Sequence, residues 1–360
     1  MADPEDASLI FGIGCLYFGV PIKEINSWAE RVSATLDALS GVSDVLVTAD
    51  VGEFGWKSIK DNAFPLDGSV TFKLRIPLEV QEQVTRGVIA ISPELDPHEN
   101  FQVFMFYDYY GPVSFIVVED PSAEISFSST SVIIVREYIE KQLKTMSTPA
   151  RIGFVAPTSF HGDFMLKITE QDELLRLERT PTRAYAEFEF CCSADGFTTP
   201  AGALEFFFEE VKDELTFYYY LRTNRDTQFY ATMEISALTS ALIDIYERKG
   251  IRAWLRRMFT SSSKTRYLAL KALVAEYNAQ VNAAVAARNK DELYSADVIP
   301  YFSDEIDNVL SEDFSGFISG ARDISSLLSE VRARQVEVTS LFLSAVAGGA
   351  AGALISLLVH

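Results

Sequence analysis

From Val338 to Val359 the chain carries 22 consecutive residues without a formal charge, VTSLFLSAVAGGAAGALISLLV. As a helix this run would be about 33 Å long, which matches a hydrocarbon core of ~30 Å and predicts one crossing of a bilayer. Arg332 and Arg334 precede it and only His360 follows. The basic bias therefore leaves the large N-terminal part on the cytosolic side of the inner (plasma) membrane. The competing reading is a core helix buried in the chain or in an oligomer.

Small residues recur every four positions through this run, at Ser340, Ser344, Gly348, Gly352 and Ser356. In lipid, such a stripe lets helix backbones approach closely and gain dispersion contacts. A homo-oligomer packed through Ser344, Gly348, Gly352 and Ser356 is expected. Upstream, Leu310, Phe314, Phe317, Ala321, Ile324, Leu328, Val331 and Gln335 alternate spacings of four and three, the seam of a helical stalk with Gln335 as a polar layer. Gly316 and Gly320 suggest a bend within it. Another stripe, Tyr267, Leu270, Val274, Tyr277, Val281 and Ala284, reads as bundle core. Pro300 should close one element, and Ser303-Asp304-Glu305 should open the next.

The N-terminal part has another grammar. Residues 8–20 and 45–52, VTFKLRIPL, FQVFMFYDYY, VSFIVVED, RIGFVAP and AYAEFEFCC look like strands, with a turn at YYGPV. IKEINSWAERVSATLDAL and SVIIVREYIEKQL look like helices, while EFFFEEVKDELTFYYYL is ambiguous between the two. The N-terminus has acids where a secretory signal would carry bases. The expected fold class is α+β: a soluble sensor-like domain over residues 1–195, a mostly helical domain over 196–300, a stalk helix over 301–337 and one transmembrane helix over 338–359.

A formal net charge of -20 argues against binding duplex DNA through a broad basic surface. Three cysteines, two of them adjacent at Cys191 and Cys192, offer no disulfide framework. Three scattered histidines make a His-based metal site improbable, and no phosphate-loop, zinc-protease or nucleophile-elbow motif occurs. No cofactor, metal or catalytic residue is expected. Ser159, His161 and Asp163 alternate in TSFHGDF, but same-face strand neighbours lie ~6.6 Å apart at the backbone and a working triad usually draws on several elements.

Against the acidic background, Arg248, Lys249, Arg252, Arg256, Arg257, Lys264 and Arg266 fall within 19 residues that contain no acid. With Trp254 as a stacking platform they are candidate ligands for a phosphate-bearing molecule, such as a nucleotide or short oligonucleotide. Two alternatives stay open: contact with anionic lipid headgroups, and pairing with acids of another subunit.

The order of parts, a mixed soluble domain and long helices leading to a C-terminal span, resembles that of CorA-type magnesium channels. The chain lacks their Gly-Met-Asn signature and second span, so magnesium selectivity is not implied. It is also similar to membrane channel effectors of nucleotidyltransferase-linked anti-phage systems of the Hailong type. That resemblance implies a tetramer, a nucleotide or oligonucleotide ligand, a partner enzyme that makes it, and defence by membrane depolarisation. The expected function is a homo-oligomeric channel or pore gated through its cytosolic domain. A tail-anchored adaptor recruiting a protein partner, CorA-like cation transport, and a membrane-tethered hydrolase built on Ser159, His161 and Asp163 are the alternatives.

Overall fold

The computed structural model describes residues 8–50, 55–59, 62–86, 98–119, 128–146, 148–160, 162–181, 186–250, 252, 261–295 and 299–359. Within these, the side chains of 85, 128–129, 156–159, 181, 261–262 and 349–359 lie outside the described set. The N-terminal part is sheet-rich and the remainder helical, the α+β arrangement expected.

The sheet is organised on β1 (Ser8–Pro21), whose sequence SLIFGIGCLYFGVP has no charge on either face and is buried almost throughout. A strand apolar on both sides belongs between two cores. Ile10–Gly14 pair antiparallel with β7 (Gly111–Val118). On the opposite edge β1 meets β9 (Gly162–Thr169) over Ser8–Phe11 and β8 (Arg151–Ser159) over Leu16–Gly19. Within the pairing to β8 the register shifts between Gly14 and Leu16, and there the Leu16 N–H donates to Ser114 Oγ at 3.1 Å.

From β7 the sheet continues antiparallel through β6 (Asn100–Asp108) and β5 (Gly68–Arg75) to β2 (Val42–Ala49). On the other side β9 is followed by β11 (Ala186–Ser193), which it meets in parallel, and by β10 (Leu175–Pro181). The short β3 (Trp56–Ile59) pairs with β4 (Asn62–Pro65), which joins the end of β1. Gly41, just before β2, has φ +78°, and a Cβ there would lie 2.4 Å from the Arg75 oxygen, so only glycine fits.

Helices cover both faces. On one, α1 (Trp28–Asp37), α2 (Leu78–Thr85) and α3 (Ser128–Thr145) enclose a core that includes Phe18, Trp28, Val32, Phe72, Met105, Val135 and Ile139. Trp28 fixes α1 by donating its indole N–H to the Phe18 carbonyl at 2.9 Å. On the other face, Phe11, Phe115, Phe164, Phe188 and Phe190 meet Phe207, Phe208, Val211 and Leu215 of α4 (Pro200–Glu247). The strict alternation of β6 assigns Val103 and Met105 to the first core and Phe104 and Phe106 to the second. α4 resolves the ambiguous aromatic stretch as helix: Thr199 Oγ1 accepts from the Gly202 N–H at 3.3 Å, with Pro200 at the first helical position.

The chain forms two compact units, 1–223 with 292–309, and 224–291 with 310–360. These boundaries differ from those expected at 195, 300 and 337. The second unit contains the C-terminal half of α4, α5 (Ser261–Leu293) and α7 (Ser315–Val359), while α6 (Ser303–Ser311) belongs almost wholly to the first. Its core is small: Ile235, Leu242, Leu268 and Ala321, flanked by Leu238, Ala275 and Leu328.

Two helical expectations change here. The stalk does not run unbroken from Leu310, because α6 ends at Ser311 and α7 starts afresh at Ser315. Asp313 causes the restart by accepting the Ser315 N–H at 2.7 Å and its hydroxyl at 2.8 Å, and these bonds hold its carboxyl below the usual range. Of the expected bend, Gly316 and Gly320 fall in the first turns of α7, not inside a longer helix. The α5 stripe is not core within this chain. Tyr267, Leu270, Val274, Tyr277 and Val281 are 41–66% exposed, whereas Leu268, Ala272 and Ala286 on the other side are buried.

Candidate functional site

In the second unit, named contacts fix how the three helices run. Glu234 of α4 pairs with Lys271 of α5 at 2.8 Å, and Ile235 and Leu242 share a core with Leu268, so α4 and α5 are antiparallel. Glu276 of α5 meets Arg322 of α7 at 3.1 Å, and Leu268 packs in the cluster that Leu328 flanks, so α5 and α7 are antiparallel too. Arg225 donates to the Leu310 carbonyl at 2.6 Å and the Tyr246 hydroxyl to that of Leu328 at 3.4 Å, which makes α4 and α7 parallel. α7 therefore continues beyond Glu247, the last residue of α4.

The predicted seam divides along α7. Ala321 is buried and Ile324, Leu328 and Gln335 are half-buried, while Phe317 and Val331 are exposed. Leu310 and Phe314 precede α7; Phe314 packs against Phe229 with ring centroids 6.2 Å apart. The line turned toward the neighbouring helices is Ile318, Ala321, Ser325, Leu328, Arg332, Gln335 and Thr339, which shares only part of the predicted register.

Past this line the helix changes character. Leu341, Phe342 and Leu343 are consecutive and each is at least 60% exposed; Ser344 and Gly348 are exposed as well. Gly352 and Ser356 lie on the same helix, with their side chains outside the described residues. Among the described residues, no helix is long and apolar enough to cross a membrane. Those of the charge-free run whose side chains are described end at Gly348.

Of the basic cluster, Arg248, Lys249, Arg252, Lys264 and Arg266 are exposed. Arg248 pairs with Asp244 at 2.6 Å, one turn back. Trp254, Arg256 and Arg257 lie outside the described residues. So does His161 of the Ser159-His161-Asp163 group, together with the side chain of Ser159. Asp163 stands on β9, paired in register with Glu187 of β11, and Phe160, next to Ser159 in sequence, is buried against Phe164, Phe188 and Phe302. This stretch contributes to the aromatic core.

Two arrangements in the first unit lie beyond any sequence motif. An open cavity of about 490 Å³ is lined by Thr48, Asp67, Ser69, Asp108, Lys212 and Asp213, among others. Burial, then the facing charge of Asp108, with which it shares a hydrogen bond, push the Asp213 carboxyl up. Burial alone would lower Lys212, but Glu209 bonds to its ammonium and raises it overall. The lining offers carboxylate acceptors, hydroxyls and an ammonium, a set suited to a small polar ligand.

The second arrangement is a buried carboxylate. Glu214 of α4 is 1% exposed and accepts from the Tyr294 hydroxyl at 2.6 Å, the Tyr301 N–H at 2.8 Å and the Phe302 N–H at 3.2 Å. Burial raises its pKa although all three bonds oppose the rise. It fixes the entry to α6, which Arg179 also holds through Glu305 at 2.6 Å.

Among the described residues, no group of three or more His, Cys, Asp or Glu side chains could hold a metal ion. No protein family, no curated protein and no solved structure matches this chain.

Proposed function

We propose that this protein is a single-pass membrane protein that acts as a homo-oligomer, with Val338–Val359 crossing the bilayer and both folded units in the cytosol. The observation that carries this reading is the run Leu341-Phe342-Leu343, apolar and exposed on consecutive positions of α7 and therefore around most of its circumference. A helix apolar all round is stable inside a protein core or in lipid, and these side chains are not in this chain's core. The uncharged residues that follow supply the length of a full crossing.

Copies gather through the small-residue stripe that contains Ser344, Gly348, Gly352 and Ser356 to make an ion-conducting or membrane-permeabilising element. Gating needs a ligand that binds the open and closed states unequally. The cavity beside Lys212 and Asp213 is a candidate place for it, because the same helix α4 supplies Asn224–Glu247 to the second unit. The setting implied by the resemblance in layout is anti-phage defence by depolarisation, with the ligand supplied by a nucleotidyltransferase.

The test is fractionation and conductance of the full-length protein. Wild type should stay with pelleted membranes through an alkaline wash, cross-link as an oligomer and conduct in planar bilayers. Gly348→Leu with Gly352→Leu should remain in the membrane but lose oligomer size and current. Wild type recovered in the supernatant refutes the membrane assignment; unchanged oligomer and current in the double variant refute the packing role.

A further inference from the structure

The helical register of the second unit bears on the three open readings of the basic cluster. In antiparallel helices, equal steps away from a paired position stay level with each other. Arg266 lies ten residues before Glu276, and Arg332 ten residues after Arg322, so both stand about 15 Å along the axis from the Glu276–Arg322 pair. By the same count, Ser261, where α5 begins, is level with Glu337, and the next residue, Val338, starts the charge-free run. α4 ends at Glu247, one residue beyond Tyr246, whose hydroxyl reaches Leu328.

The close of α4 thus lies near Leu328 of α7 and the opening of α5 near Glu337, about 13 Å further along the axis, and both come before the point where α7 loses its charges. Arg248, Lys249, Arg252, Lys264 and Arg266 follow from or open these ends, and Arg334 of α7 is exposed between the two levels. The N-terminal end of the α5 dipole points the same way and adds positive potential. Acids are present there as well, Asp244 against Arg248 and Glu330 against Arg334, so part of the charge is compensated. Lys249, Arg252, Lys264 and Arg266 remain exposed with no acid between them in sequence.

We infer that these four residues form a headgroup collar that binds anionic phospholipid in the cytosolic leaflet. The inference rests on the membrane assignment of α7. Phosphate of a headgroup would sit where the helix enters lipid, and the Arg forks and Lys ammonium groups would hold it by charge-assisted bonds. The cluster then fixes the depth of α7 in the bilayer, a role distinct from reading a soluble ligand.

The experiment uses full-length protein in mild detergent, offered equimolar phosphatidylglycerol and phosphatidylcholine and analysed by native mass spectrometry. Wild type should retain phosphatidylglycerol at least tenfold over phosphatidylcholine. The variant Lys249→Gln, Arg252→Gln, Lys264→Gln, Arg266→Gln should lose that preference. Its membrane fractionation and far-ultraviolet circular dichroism should stay as in wild type. Equal retention of both lipids by membrane-inserted wild type overturns the collar and leaves the membrane assignment standing. Loss of wild type from the membrane fraction removes that assignment itself. Displacement of bound phosphatidylglycerol by an equal concentration of a short oligonucleotide also overturns the collar and returns the cluster to a soluble phosphate ligand.

Discussion

Replacing Glu214 by alanine should loosen the first unit by an amount that can be worked from its contacts. The carboxylate satisfies the backbone N–H groups of Tyr301 and Phe302, both on buried residues, and the hydroxyl of Tyr294. Each buried donor left unpaired costs about 1–3 kcal/mol. Relief of a desolvated charge, the one that raises the pKa of Glu214, returns part of this. A net loss of ~3–5 kcal/mol remains, equivalent to a fall in Tm of roughly 6–20 °C for a unit of this size. Glu214→Gln should cost less, since its amide oxygen still accepts one bond, and Tyr294→Phe about 1 kcal/mol. The assay is thermal unfolding by near-ultraviolet circular dichroism, with hydrogen exchange read at Ile306 and Val309 of α6. If Glu214→Ala melts within about 2 °C of wild type and exchange in α6 is unchanged, the anchoring role assigned to this carboxylate is wrong.

Asp213 has a pKa raised above its ordinary 3.8, so between those two values the folded state holds more protons than the unfolded one. Its contribution to stability must therefore grow as pH falls through that window and shrink as pH rises. Asp213→Asn should be more stable than wild type at neutral pH, with the gap closing on acidification; a gap independent of pH in urea titrations contradicts this sign. Ser114→Ala leaves the Leu16 N–H without its partner at the register shift and should cost about 1–3 kcal/mol of unfolding free energy in urea titrations, whereas no change would mean that another acceptor replaces it. Gly41→Ala should cost more than ~2 kcal/mol, because a left-handed φ and a contact with the Arg75 oxygen are both penalised; a variant as stable as wild type refutes the assigned geometry. Cys15, Cys191 and Cys192 are buried, and burial pushes Cys192 up to about 12. Native protein should leave a thiol reagent unreacted at pH 8 and react at all three sites in denaturant.

Periodicity made much of the first unit readable. β1, β6, β7 and α3 follow from uninterrupted apolar runs or clean repeats of two and 3.6. β9 and β10 carried the same alternation, as in Phe164, Leu166 and Ile168, or Leu175 and Leu177, but charged residues between them dilute the signal. In α4 the aromatic and β-branched run TFYYY favours strand by propensity, and burial at Phe207, Phe208, Val211 and Leu215 overrides it. The α5 stripe shows a different limit: a heptad reports that a face is apolar, not what covers it, and the side turned to α4 and α7 is built from Leu268, Ala272 and Ala275. The cavity was beyond local pattern altogether, since Asp108 and Asp213 meet from β6 and α4 and no spacing announces a pair so distant in sequence.

The first unit is discontinuous, completed by residues 292–309 after the chain has built two of the three helices of the other unit. No single cut releases it intact. A fragment stopped at Thr223 would keep every strand named above yet leave the Glu214 carboxylate without its donors and the aromatic rings around Phe302 open to water. During synthesis the sheet domain must wait for α5 to emerge before its last wall arrives, so its completion is tied to the helices that follow.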